Sequence, residues 1–176
     1  MRTALSIAGV AIFVLTAAGT ALAQGSGAEA RLKQLNITLP ADQAPAANFV
    51  NSVLAGKLLF LSGNTPGGQW PLKGKVGKDL TIEQGYESAR QTGLIMLGKI
   101  RTALGSLDRV KRVVKVLGMV NSADGFSDQP KVVNGFSDLM VEVFGEAIGK
   151  HARSAVGMAG LPGNAPVEVE MIVEVE

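Results

Sequence analysis

Residues 151–176 read HARSAVGMAGLPGNAPVEVEMIVEVE, and the fold is decided here. Val167, Val169, Met171, Val173 and Val175 alternate with Glu168, Glu170, Ile172, Glu174 and Glu176, so an extended strand would carry one apolar and one largely acidic face. Leu161-Pro162-Gly163-Asn164 marks a turn ahead of it, and Arg153 opens a run of small residues before that turn. The pattern predicts a β-hairpin whose second strand is half buried. Antiparallel pairing would bring Arg153 close to Glu168, with the register left open.

Working outward, Val110 to Val120 is β-branched and mostly apolar, which predicts a central strand. Before it, Thr81 and Gln84 fit a capping box, and Ile82, Tyr86, Ala89, Gly93, Met96, Leu97, Ile100 and Leu104 form one stripe at helical spacing, closed by Gly105. A second helix is expected from Ser127-Asp128, with Pro130 in its first turn, Val132, Val133, Phe136, Met140, Val143 and Phe144 turned inward, and Gly149 as its stop. Asn48 to Val53 and Lys57 to Ser62 read as short strands joined at Ala55-Gly56, the second buried on both sides. Residues 28–35 have helix-forming composition and are expected to pack outside the core. The order β β α β α β β predicts an α+β fold, a mixed sheet covered on one face by two helices.

The chain has 176 residues, 47% hydrophobic and 18% charged, enough for one domain with a sizeable core. Met1 to Ala23 has a lone Arg2, an apolar run and a small-x-small ending, the pattern of a secretory leader cleaved after Ala23. The expected organisation is a leader at 1–23, an arm at 24–47 and one domain at 48–176, in a periplasmic or secreted protein without stable membrane association after cleavage. The formal charge is +2, and removing the leader takes away only Arg2 among the charged groups, so no strong electrostatic preference for a partner follows. There is no cysteine, hence no disulfide.

One histidine and no cysteine argue against a metal site, and no cofactor is expected. A Ser-His-Asp arrangement would need His151 as base, but no orienting carboxylate lies near it in sequence, so it reads as a loop or helix-end residue. The glycine loops match neither phosphate-binding pattern and read as turns. Arg109, Lys111, Arg112 and Lys115 lack interleaved aromatics, so a solvated strand edge is read there and no nucleic acid is expected as a partner. Ser62-Gly63 is open to two readings: a plain strand exit, or a place where a ligand approaches exposed main-chain groups. Arg153 is likewise open, either as a fork for a ligand carboxylate or as an arginine that is exposed or paired with Glu168 or Glu170.

Ala152-Arg153-Ser154-Ala155-Val156, Leu161-Pro162 and Val167-Glu168-Val169-Glu170 together resemble the C-terminal signature of the reactive intermediate deaminase (RidA) family. Leu61-Ser62-Gly63-Asn64, the strand entry at Asp108 to Val116 and Val133-Asn134 resemble its other motifs in order, so the likeness runs from about Asn48 to Glu176. The resemblance implies a chorismate-mutase-like protomer and a homotrimer with a central barrel-like core and clefts between subunits. In these deaminases the arginine matching Arg153 grips a substrate carboxylate and the glutamate matching Glu168 positions or activates water. Main-chain groups at Gly63 and Ala155, with Ser62 nearby, line the cleft, and Asn134 matches an asparagine at its edge. The implied activity is that of a 2-iminobutanoate/2-iminopropanoate deaminase, hydrolysing short 2-imino acids to 2-keto acids and ammonia.

Two features depart from the family pattern. Phe49 stands where active deaminases commonly carry a tyrosine, keeping the ring of this substrate-binding position without its hydroxyl. The leader places the chain away from the cytoplasmic enzymes that generate enamines. A trimeric binder of small carboxylates or a holdase, without turnover, is therefore the competing reading. Ribonuclease activity, a label often attached to this family, finds no acid-base pair.

Overall fold

The computed structural model describes residues 27–45 and 47–176. The leader expected at 1–23 lies outside them, and among the described residues no helix is long and apolar enough to cross a membrane.

Five strands form one sheet, β1 (Ser52–Ala55), β2 (Leu58–Asn64), β3 (Val110–Asn121), β4 (Ala152–Met158) and β5 (Val167–Val175), in the spatial order β1-β2-β5-β3-β4. The helices are α1 (Ala28–Gln34), α2 (Ile82–Leu104), α3 (Gln129–Phe144) and the single turn α4 (Glu146–Gly149). The expected element order and the α+β class hold. The expected hairpin does not: β4 pairs in parallel with β3, β5 pairs antiparallel with β3 and β2, and so β3 lies between β4 and β5.

Two forces explain this arrangement. The α3 crossover returns the chain beside β3 in the same direction, which makes β4 a parallel neighbour. Residues 159–166 then carry the chain over the end of β3, where Asn121 Nδ2 donates to Asn164 Oδ1 at 3.0 Å, the Asn121 amide donates to the Pro166 carbonyl at 2.9 Å and Lys75 Nζ donates to the Ala159 carbonyl at 2.6 Å. Gly163 and Asn164, with φ of 60° and 55°, supply the left-handed backbone of that passage.

Alternation along β5 places Val167, Val169, Met171, Val173 and Val175 under the helices, all buried. On α2 the capping box forms as its sequence dictates: the Gln84 amide donates to Thr81 Oγ1 at 3.2 Å and the Thr81 amide to Gln84 Oε1 at 2.9 Å. Gly105, with φ of 80°, ends the helix. Met96, Leu97, Ile100, Phe136, Leu139 and Met140 are buried between α2, α3 and the sheet, each removal from water being worth about 1.5–3 kcal/mol.

Four local expectations need correction. Gly145, with φ of 75°, ends α3 four residues before Gly149, and a separate turn follows. The first strand starts at Ser52, because Asn51 turns its side chain to Asp42 and Gln43 on the preceding segment. Helix α1 is not outside the core: Ala28 and Leu32 are buried, and Glu29 binds Arg101 with both carboxylate oxygens. In β2 only Leu59 and Leu61 are buried, whereas Phe60 is 40% exposed, because no element among the described residues covers the sheet face opposite the helices.

Candidate functional site

Bridge partners in a sheet share a face, so the register assigns each candidate side chain to one side. Arg153 aligns with the buried Val116 and projects toward α3. Glu168 aligns with Met119, between the buried Gly118 and Val120, and therefore projects to the uncovered face. Within one chain the sheet itself separates the two groups, and the close pairing expected from a hairpin is absent.

On the helix side, Arg153 meets three neutral acceptors. One Nη donates to Asn134 Oδ1 and to Ser137 Oγ, each at 2.9 Å, and the other reaches the Pro130 carbonyl at 3.4 Å. Among the described residues no carboxylate stands within ion-pair distance of it, which removes the reading of a structural pair with Glu168 or Glu170. Gly118 makes this geometry possible, since a Cβ there would collide with Val133, so α3 packs close enough for Asn134 and Ser137 to reach β4. Ala155 aligns with Gly118 and packs against the core from the same side.

His151 and Ser137 belong to this cluster and were not singled out as partners of Arg153 from sequence. The imidazole Nδ1 lies 2.6 Å from the Gly149 carbonyl and Nε2 lies 3.1 Å from Ser137 Oγ. Burial lowers its pKa, the Gly149 carbonyl opposes that, and the positive charge of Arg153 lowers it further. Two signals for the cluster were present: His151 and Arg153 are two apart at a strand entry, and Asn134 and Ser137 are three apart on a helix.

Glu168, Gly63 and Ser62 make a second cluster on the open side. Between Leu61 and Asn64 the register against β5 slips, so that Ser62 and Gly63 together oppose Glu170 in a bulge. The Glu168 carboxylate occupies the space above Gly63 that a Cβ would need. Burial, and secondarily the charge of Glu170, raises the Glu168 pKa above the ordinary carboxylate value. Ser62 Oγ donates to the Val50 carbonyl at 2.6 Å, which fixes the strand exit rather than leaving the hydroxyl free. Phe49 is 55% exposed on the segment that leads into β1. A neighbouring groove of about 430 Å³ on the same open face includes Ser62, Lys115, Ser154 and Glu170, with apolar walls from Val53 and Phe60.

The sequence candidates thus fall into two organised half-sites, Arg153 with Asn134 beside Ala155, and Glu168 with Gly63 beside Ser62. One offers an uncompensated guanidinium fork. The other offers a carboxylate whose proton affinity has been increased.

A family model described as "YjgF/chorismate mutase-like, putative endoribonuclease" matches residues 29–175. Protein TCP17 of Trypanosoma cruzi is 48% identical over 149 residues, covering 82% of this chain and 92% of that protein. Among solved structures, protein Atu1372 of Agrobacterium tumefaciens, described as of unknown function, superposes with a TM-score of 0.76 at 39% identity, covering 86% of this chain and 93% of that one. A putative endoribonuclease from Shewanella oneidensis MR-1 gives a TM-score of 0.80 at 30% identity, covering 85% and 99%. With the five-stranded sheet, its helix-covered face and the match over 29–175, the chain belongs to the YjgF/RidA-like family.

Proposed function

We propose that this protein hydrolyses short 2-imino acids to 2-keto acids and ammonia, in clefts formed where copies of the chain meet. The observation that carries the reading is Arg153, a guanidinium held by three neutral acceptors with no carboxylate beside it. Its half-buried fork keeps N–H groups unspent, and a ligand carboxylate supplies a charged acceptor for them.

The chemistry suits the two half-sites. Arg153 holds the substrate carboxylate, which orients the electrophilic imine carbon. Glu168 accepts a proton from water as its oxygen adds to that carbon, giving a tetrahedral carbinolamine. Glu168 returns that proton to nitrogen, and as the C–N bond breaks the hydroxyl proton follows to nitrogen through the same carboxylate, so that the keto C=O forms and ammonia leaves. A positioned carboxylate base is worth about 100- to 10,000-fold in rate, and its raised pKa favours proton acceptance.

Because one sheet separates Arg153 from Glu168, the complete site requires the two from different copies. The uncovered apolar face supports a trimer: Val53, Phe60, Val156 and Met158 are each more than a third exposed, and the two-sided burial that the run at 58–61 suggests would come from a second copy. Light scattering on the purified protein tests this assembly, and a monomer would overturn it. Residues 1–23 remain proposed as a leader, to be checked by N-terminal sequencing of exported protein.

Freshly generated 2-iminopropanoate, with keto-acid release as the readout, tests the activity. Acceleration over buffer that disappears in Arg153→Ala is expected; no acceleration, or an unchanged Arg153→Ala, overturns it. Phe49, with its exposed ring and no hydroxyl, favours one second reading, a carboxylate binder without turnover. Calorimetry that finds Arg153-dependent binding of keto acids without catalysis would select it.

A further inference from the structure

The Arg153 cluster contains a directional hydrogen-bond chain. A carbonyl oxygen only accepts, so the 2.6 Å contact to Gly149 requires the proton on His151 Nδ1. The neutral ring then presents a lone pair at Nε2 toward Ser137 Oγ, 3.1 Å away. Ser137 spends its own proton on that nitrogen and keeps its oxygen lone pairs for the N–H of Arg153 at 2.9 Å. Every donor points the same way, from Arg153 through Ser137 and His151 to the Gly149 carbonyl.

We propose that His151 is a positioning residue of the carboxylate site, acting through Ser137 to hold the Arg153 fork in its ligand-ready orientation and coupling its own protonation to the anion bound there. The coupling half rests on the carboxylate reading of Arg153 given above; the orientation half does not. A proton on Nε2 would force that nitrogen to donate to Ser137, placing two cations on one hydroxyl. An anion at Arg153 relieves the repulsion, so anion binding and His151 protonation favour one another by linkage.

The charged surroundings support this pairing. Arg153, on β4, is the ionic group whose field reaches the ring. On α4 and the residue after it, Glu146 and Lys150 are engaged with each other at 2.7 Å. On α3, Ser137 and Asn134 are neutral and Asp138 accepts from the Tyr86 hydroxyl at 2.9 Å. On β3, Lys115 aligns with Ala152 and turns to Ser154 Oγ, at 2.9 Å on the open face.

The chain contains a single histidine, so the tag-free full chain with ¹⁵N-labelled imidazole gives one reporter at the site. Long-range ¹H–¹⁵N spectra of the ligand-free protein should show the Nδ1–H tautomer, and the ring should titrate at higher pH in Arg153→Ala; an Nε2–H tautomer, or a titration insensitive to Arg153→Ala, overturns the inference. Pyruvate is the ligand probe. His151→Leu and Ser137→Ala should each weaken pyruvate binding about tenfold, while His151→Gln, which retains an acceptor toward Ser137, should recover most of it. Equal affinity in the wild type and His151→Leu, with binding still dependent on Arg153, overturns the inference and leaves the carboxylate reading intact. Failure of pyruvate to bind the wild type overturns the carboxylate reading and with it the coupling, and the tautomer and the Arg153→Ala titration then decide the orientation role.

Discussion

Arg153 and Glu168 lie on opposite faces of one sheet, with β3 running between the strands that carry them. A site that uses both must draw them from two chains, and this makes complementation possible. Arg153→Ala and Glu168→Gln should each be inactive alone. Co-assembled at equal amounts, they should recover roughly a quarter of wild-type activity, since random mixing restores both groups in that share of clefts. No recovery in verified mixed oligomers would show that both groups act from the same chain.

Glu168 contributes to stability with a definite sign. Its folded-state pKa is raised, so stability is fully present below the ordinary value near 4.5 and is lost as pH rises through the folded value. Ionised Glu168 therefore costs stability at neutral pH. Thermal unfolding of Glu168→Gln should show a higher Tm than wild type at pH 7 and no advantage near pH 4, while keto-acid release falls about 100- to 10,000-fold.

Gly63 tests the geometry of the open half-site with both charged side chains left in the sequence. A Cβ there would displace the Glu168 carboxylate. Gly63→Ala should keep its far-ultraviolet dichroism and oligomeric state and lose on the order of 100-fold in kcat, the scale for an ångström of misplacement.

His151 sets a stability window of the opposite sign from that of Glu168. Its folded pKa lies below the ordinary value of 6.5, so its contribution is present above that value and is lost as pH falls through the folded one. Denaturant midpoints should drop across that interval in the wild type. His151→Gln should flatten the drop, and an unchanged slope would assign it to carboxylates.

Helix α2 offers a control away from the site. Thr81→Ala removes the hydroxyl that accepts from the Gln84 amide, while the backbone amide of residue 81 can still donate to Gln84 Oε1, and should cost about 1 kcal/mol in urea unfolding with kcat unchanged.

The regular elements were legible because their signals are local. Alternation along 167–175, the stripe and capping box of 81–105 and the β-branched run of 110–120 each fix an element within its own span. The pairing of β4 was not local. Leu161-Pro162-Gly163-Asn164 does reverse the chain, but the strand entering and the strand leaving are separated by β3, a partner some forty residues upstream of β4. Phe60 shows a related limit, since its apolar run suggests two-sided burial while the ring is 40% exposed among the described residues. At the candidate site, motif likeness singled out Arg153, Asn134, Glu168 and Gly63, whereas the proposed role of His151 and Ser137 rests on tautomer and donor direction, which appear only once α3 lies against β4.

The position of β5 has a temporal consequence. It lies between β2 and β3, yet it is the last of the five strands to leave the ribosome. Until it arrives, the nascent chain holds two separate ribbons, β1 with β2 and β3 with β4, and no strand pairing links them. Two-stranded ribbons are marginal on their own in water. Closure of the sheet is therefore deferred until residues 167–175 emerge, and a chain stopped after Ala165 should remain protease-sensitive, with its exposed strand edges as its chief hazard.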